Sequence, residues 1–112
     1  MAGDTSLFAA MADLPRLAGG PLDLAVIPIA GWGPRLSEGH LNPEQAATAC
    51  ARSGARCALP VHWGTLHPPF ATRVPHGWLD RPDREFAEAM ARVAPGCRVL
   101  RLAPGGTAAM LP

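Results

Sequence analysis

Two short and almost wholly apolar runs, separated by a helix-forming segment, restrict the fold more than any other feature. They cover residues 22–29 and 55–61. Apolar runs of this length without polar alternation are typical of strands covered on both faces, as in a parallel sheet. Pro28 lacks a backbone N–H, so we expect the first strand to end there or to lie at a sheet edge.

A helix is predicted between the two strands, because the sequence carries signals for both of its ends. Asn42 can cap the first turn, Pro43 suits the first helical position, and Gln45 occupies the third position that a capping box requires. Gly54 is a suitable C-terminal stop. We therefore expect a helix from residue 43 to residue 53.

Further elements are predicted on either side. A short helix is expected over 6–14, and a third strand over 98–102. A longer helix is expected over 82–94, because apolar residues recur on one face at three- to four-residue spacing. These residues are Phe86, Ala89, Met90 and Val93. The alternation of helices and strands predicts an α/β class with parallel pairing.

Composition narrows the function classes. The chain has 112 residues, which we expect to form a single domain, with 48% hydrophobic and 17% charged residues and a net charge of +1. This balance gives no electrostatic reason to expect a nucleic-acid partner. The N-terminus does not resemble a signal peptide, and no apolar run reaches the roughly 20 residues of a transmembrane segment. Three cysteines without metal-type spacing indicate reduced, partly buried thiols in a cytoplasmic protein, with one reactive thiol as the alternative.

Three loops are expected to meet at one edge of the sheet, where the carboxyl ends of parallel strands gather ligand sites. They are Gly3-Asp4-Thr5, Gly31-Trp32-Gly33 and Val61-His62-Trp63-Gly64-Thr65. Aspartate and histidine are natural ligands for a borderline cation such as zinc. On spacing alone, Asp4 could equally be a helix-start residue and His62 a hydrogen-bonded structural residue.

The order of these motifs along the chain is similar to that of a known protein family. Gly3-Asp4-Thr5, the Gly-Trp-Gly loop, the run from Gly39 to Ala46 (GHLNPEQA) and His62-Trp63-Gly64-Thr65 together resemble the C-terminal part of metallo-β-lactamase-fold hydrolases. The most similar branch holds ascorbate-6-phosphate lactonase-like proteins and N-acyl-phosphatidylethanolamine phospholipase D. The resemblance implies that residues 1–112 form the C-terminal half of an αββα sandwich.

The resemblance also implies site roles. Asp4 matches the aspartate that bridges two metal ions, and His62 matches the last metal-binding histidine. His40 matches a catalytic histidine at the mouth of the site, and Trp32 and Trp63 would contact substrate. The implied supporting residues, which would orient the ligands, are Thr5 and Thr65. Two divalent cations are implied, with zinc as the first expectation and manganese or iron as alternatives.

The family's His-x-His-x-Asp-His ligand cluster does not occur in this sequence. Two hypotheses about the function of the chain therefore remain open. In the first, the chain belongs to a hydrolase in which a metal-activated water attacks an ester, lactone or phosphodiester substrate. In the second, it is a non-catalytic binding or structural subunit that pairs with itself or with a separate N-terminal half.

Two other groups of residues could form functional sites. Three histidines of one segment could form a separate metal site with His40 or Asp80; they are His62, His67 and His76. Three tryptophans could form an aromatic substrate wall, although packing in the core or in loops is an equal alternative. They are Trp32, Trp63 and Trp78.

Overall fold

The elements follow one another in the predicted alternating order. The computed structural model describes residues 1–31, 36–65, 69, 77 and 79–110. A 3₁₀ helix over Ala9–Asp13 leads into the short helix α1. The remaining elements are β1 (Leu24–Pro28), α2 (Pro43–Ser53), β2 (Cys57–Val61), α3 (Arg81–Val93) and β3 (Arg98–Val99), with α1 at Leu14–Leu17. None of the described helices combines the length and the apolar character needed to cross a bilayer.

The described strands form one parallel sheet in the order β1-β2-β3. The register of the first pair runs from Leu24 opposite Cys57 to Pro28 opposite Val61. β1 therefore ends at Pro28 and lies at an edge, which confirms the prediction made from that proline. Because the two strands are parallel and in step, their carboxyl ends lie side by side.

The N-terminal residues run along the other side of β1. The N–H of Ala2 donates a hydrogen bond of 2.9 Å to the carbonyl oxygen of Val26. This contact fixes the backbone two residues before Asp4. It places Asp4 near the carboxyl end of β1.

Helix α2 begins and ends as the sequence predicts. The Gln45 N–H donates to Asn42 Oδ1 at 2.8 Å, and the Asn42 N–H donates to Gln45 Oε1 at 3.1 Å. The capping box is thereby complete, with Pro43 in the first turn. Gly54 ends the helix in the left-handed region, at φ 62°.

Helix α3 packs against α2, and small residues on α2 allow the two helices to approach closely. Buried residues of the two helices include Ala46, Ala47 and Ala49 of α2 and Phe86, Ala89 and Met90 of α3. Val93 shares this face by its spacing, but it is 42% exposed at the end of α3. Asp83, three residues before Phe86, lies on the buried face instead.

A carboxylate in this position needs a partner, and Arg101 supplies one. Asp83 is only 7% exposed, and its Oδ2 accepts hydrogen bonds from Nε and Nη2 of Arg101, the first at 2.8 Å. These bonds to the carboxylate raise the pKa of the Arg101 guanidinium. The ion pair ties the segment after β3 to the first turn of α3.

The predicted bounds of two elements were wrong. The first helical segment begins at Ala9 rather than at residue 6 and continues to Leu17. Pro15 fits because it lies in the first turn of α1, where its missing N–H is not needed. The third strand covers only Arg98–Val99, since the chain turns away soon after Leu100 and the Arg101 side chain is held by Asp83.

The three cysteines are unpaired, as predicted. Cys50 and Cys57 are buried and Cys97 is partly buried. Burial raises the pKa of the Cys50 thiol to about 12 and, together with Coulombic repulsion from Cys57, that of the Cys97 thiol to about 11. Both groups are therefore almost wholly protonated near neutral pH.

These raised pKa values predict slow alkylation of Cys50 and Cys97 in the folded chain at pH 8. Only the thiolate reacts, so a thiol with a pKa near 11 should react roughly 100-fold more slowly than an ordinary cysteine. Iodoacetamide followed by mass spectrometry should label Cys50 and Cys97 slowly in the native chain, and should label both rapidly in urea. Rapid labelling of either one in the native chain would instead identify a reactive thiol.

Arg101→Ala should lower the free energy of unfolding. It would leave the buried Asp83 carboxylate without its donor, and an unsatisfied buried group costs about 1–3 kcal/mol. Urea denaturation measures the change. Arg84→Ala is the matched control, because it removes the same charge from an exposed position of α3. Equal stability of the two variants would contradict a structural role for the ion pair.

Candidate metal centre

Asp4, His40 and His62 come from three distant parts of the chain and meet at one edge of the sheet. Asp4 follows the segment held against β1, His62 follows the last residue of β2, and His40 precedes the first turn of α2. One ligand atom from each residue can be chosen so that all three lie within 4.8 Å of one another. The predicted meeting of Asp4 and His62 at this edge follows from the parallel pairing of β1 with β2.

His62 has an unusual backbone and an unusual environment. Its φ of 62° makes it the one non-glycine residue in the described ranges with a left-handed backbone, a conformation that often marks functional sites. Its Nε2 atom is buried and has no hydrogen-bond partner in that part of the chain. The Oδ1 atom of Asp4 lies 3.7 Å away. The Nε2 atom thus lies near a carboxylate that is too distant for a good hydrogen bond.

His40 packs face to face with His62. The ring centroids are 5.5 Å apart and the ring planes differ by 17°. On its other side, Nδ1 of His40 lies 3.1 Å from the hydroxyl oxygen of Ser37. The next residue, Leu41, is fully buried and anchors the loop at the start of α2. The ring is therefore held by contacts on two sides.

Gly31 is the residue that leaves room for the His40 ring. A Cβ atom at this position would lie 2.9 Å from Cδ2 of His40 and 3.0 Å from Cδ2 of Leu36. Both distances are shorter than ordinary van der Waals contact. The glycine that follows β1 thus serves close packing rather than loop flexibility.

The three side chains suit a divalent cation. Metal–ligand bonds of about 2.0–2.2 Å allow two donor atoms on one zinc ion to lie at most about 4.2 Å apart. The 3.7 Å between His62 Nε2 and Asp4 Oδ1 falls within that limit. An unpartnered buried nitrogen beside a carboxylate oxygen also matches the ligand chemistry of a borderline metal. The residues present therefore fit a metal ion.

The other predicted site residues contact backbone groups. The Thr5 hydroxyl donates to the carbonyl oxygen of Ser6 at 3.2 Å, and the Thr65 hydroxyl donates to that of Trp63 at 3.3 Å. Trp63 Nε1 donates to the carbonyl oxygen of Pro60 at 3.4 Å, and its ring packs against the core. A cavity of about 260 Å³ is lined by Gly31, His62, Trp63 and Thr65.

Several predicted residues lie outside the part of the chain that the structure describes. They are Trp32, His67, His76 and Trp78. Their proposed roles in an aromatic wall or in a separate metal site remain predictions. Among the described residues, the structure adds Ser37 and the packing role of Gly31 to the site. No sequence motif pointed to Ser37, because its contact with His40 depends on the conformation of the loop.

Comparison with known proteins identifies the family. Residues 1–63 match the family model described as a beta-lactamase superfamily domain. The chain belongs to this superfamily. A similar solved structure is a metallo hydrolase from the archaeon Ignicoccus hospitalis, with a TM-score of 0.66 and 25% identity over 96% of this chain and 38% of that one. The α/β architecture of a metallo-β-lactamase fold is thus confirmed.

Two relatives are also similar to this chain in sequence. A metal-dependent hydrolase of Nitratidesulfovibrio vulgaris is 36% identical over 104 residues, which cover 93% of this chain and 36% of the relative. An N-acyl-phosphatidylethanolamine-hydrolyzing phospholipase D of Caenorhabditis elegans is 42% identical over 48 residues, or 41% of this chain and 14% of the relative. The chain thus spans at most 36% of the length of these two relatives.

Gly31→Ala should displace the His40 ring while the fold is retained. The new Cβ cannot share its space with Cδ2 of His40, and overpacking of this kind costs about 1–3 kcal/mol. Nuclear Overhauser contacts between the rings of His40 and His62 should weaken or disappear. Gly96→Ala is the control, because no heavy atom lies within 4 Å of its Cβ position. Unchanged ring contacts in Gly31→Ala would contradict the packing role.

Proposed function

We propose that this chain contributes to a metal-dependent hydrolase, with Asp4 and His62 as cation ligands and His40 beside them. The buried and unpartnered Nε2 of His62, 3.7 Å from Asp4, is the main support for this proposal. The names of the bacterial relative and of the archaeal structural neighbour, both metal-dependent hydrolases, also support it. Zinc is the first candidate for the cation, with manganese or iron as alternatives.

The chain's own residues would prepare the site in three ways. The Asp4 carboxylate offers negative charge to a cation, and as the resemblance implies it could reach a second one. The neutral His62 ring would offer the lone pair of Nε2 and keep its proton on Nδ1. Trp63 packs against the core and lines the cavity beside His62, where it would limit access of water. A cation bound here supplies Lewis acidity towards water and substrate.

The proposed reaction is hydrolysis of an ester, lactone or phosphodiester. The phosphodiester option is supported by the nematode relative, whose name describes a phospholipase D. His40 lies close enough to both ligands to contact either the cation or the substrate. The small cavity beside His62 and Trp63 is the described space into which a scissile group could enter.

His62→Gly should abolish tight zinc binding. Glycine removes the imidazole and also accepts the positive φ, whereas alanine would retain the backbone strain. Calorimetric titration of the wild-type chain with Zn²⁺ should show binding that the variant lacks. Ester and phosphodiester hydrolysis in the presence of zinc should fall in parallel. Zinc affinity that is equal in both proteins would overturn the proposed site.

One observation favours the alternative of a non-catalytic pairing subunit. An apolar cavity of about 360 Å³ lies between the N-terminal segment and β1. Three apolar side chains that line it are exposed: Met1, Phe8 and Leu14. A second copy of the chain, or a separate N-terminal half, could cover this surface. Zinc binding without any hydrolysis, in a chain that sediments as a dimer, would favour this alternative.

A further inference from the structure

We propose that a second cavity, lined by Trp63, Asp83 and Arg101, binds a small uncharged compound that carries hydroxyl groups. Leu102 and Ala103 complete its described lining, and its volume is about 350 Å³. This volume lies at the lower end of the roughly 300–1,000 Å³ found for small-molecule sites. The proposal does not depend on the cation site, because it uses none of the residues proposed as cation ligands.

The carboxylate of Asp83 has one oxygen atom without a hydrogen-bond partner. Nε and Nη2 of Arg101 both donate to Oδ2, whereas an arginine–carboxylate pair frequently forms two parallel bonds, one to each oxygen. Oδ1 is buried and accepts no hydrogen bond in the part of the chain that the structure describes. Because buried polar atoms nearly always have a partner, the unused acceptor indicates a donor outside these residues, such as a bound ligand.

The cavity wall offers a donor as well as this acceptor. Asp83 is only 7% exposed, but the terminal torsion of an aspartate is soft, so a modest turn of the carboxylate can present Oδ1 to a ligand. The side chain of Arg101 is 56% exposed. Among the described residues, its Nη1 group has no hydrogen-bond partner. A ligand could therefore donate to Asp83 and accept from Arg101.

The charges of the wall select the class of ligand. Asp83 and Arg101 neutralise each other, so an ammonium group would meet the guanidinium and an anion would meet the carboxylate at close range. A hydroxyl group both donates and accepts without a net charge. The indole N–H of Trp63 is already bonded to a backbone carbonyl, so this residue offers mainly apolar surface for a carbon skeleton. A cyclic polyol has the required combination of groups.

The position of Trp63 connects this cavity to the candidate metal centre. Trp63 also lines the cavity beside His62, so the two cavities are neighbours. A compound held by Asp83 and Arg101 would thus lie next to the proposed hydrolase site. There it could be the hydroxyl-bearing part of a substrate.

Nuclear magnetic resonance titration of the full chain with myo-inositol, without added metal, tests the proposal. The signals of the Trp63 indole N–H and of Arg101 Nε–H should shift. Asp83→Asn should weaken binding by about 10-fold or more, because the amide oxygen would accept from Arg101 and an amide donor would replace the free acceptor. Asp80→Asn is the matched control, since it makes the same change at an exposed residue whose side chain forms no capping bond.

Ala103→Phe provides a second variant that leaves the ion pair in place. Its ring should fill the cavity and abolish the shifts, and circular dichroism should show that the variant is folded. Methylammonium and acetate should bind at least about 10-fold more weakly than myo-inositol; tighter binding of either one would overturn the assigned ligand class. Absence of shifts with myo-inositol, or equal affinity in Asp83→Asn and the wild type, would overturn the site and leave ordered water as the partner of Oδ1.

Discussion

The parallel pairing of β1 with β2 is the constraint on which the rest of the structure depends. It brings the carboxyl ends of both strands to one edge, with Pro28 opposite Val61. His62 follows one of these ends directly, and the backbone bond from Ala2 to Val26 holds Asp4 near the other. An antiparallel pair would have placed these ends at opposite edges. The proximity of Asp4 and His62 is thus a consequence of the parallel direction of the two strands.

Much of the fold could be predicted, because its signals are local. The capping box at Asn42, the end of α2 at Gly54 and the end of β1 at Pro28 each depend on the backbone chemistry of one or two residues. Periodicity located α3 but could not show that Val93 is partly exposed, since the spacing does not reveal where a helix leaves the core. It also missed Asp83, because the burial of a carboxylate depends on Arg101, 18 residues further along the chain.

The site could be predicted in part. Asp4, His40 and His62 were proposed from the resemblance of the motifs to metallo-β-lactamase-fold hydrolases, and the structure brings their potential donor atoms within 4.8 Å of one another. The contact between Ser37 and His40 could not be found in this way, because it depends on the path of the loop before α2. The steric role of Gly31 was hidden for a similar reason, since a glycine after a strand ordinarily indicates only a turn.

Two features of His62 are energetically unfavourable for the folded state. A left-handed backbone at a residue with a Cβ atom costs of order 1–3 kcal/mol, and an unpartnered buried nitrogen adds a penalty of similar size. Packing does not require either one, because glycine would accept the same φ of 62° without strain. A cation would satisfy the nitrogen and offset both costs together. The two unfavourable features occur in one residue, next to a carboxylate and a second imidazole. This combination is expected of a residue whose function is to bind a ligand.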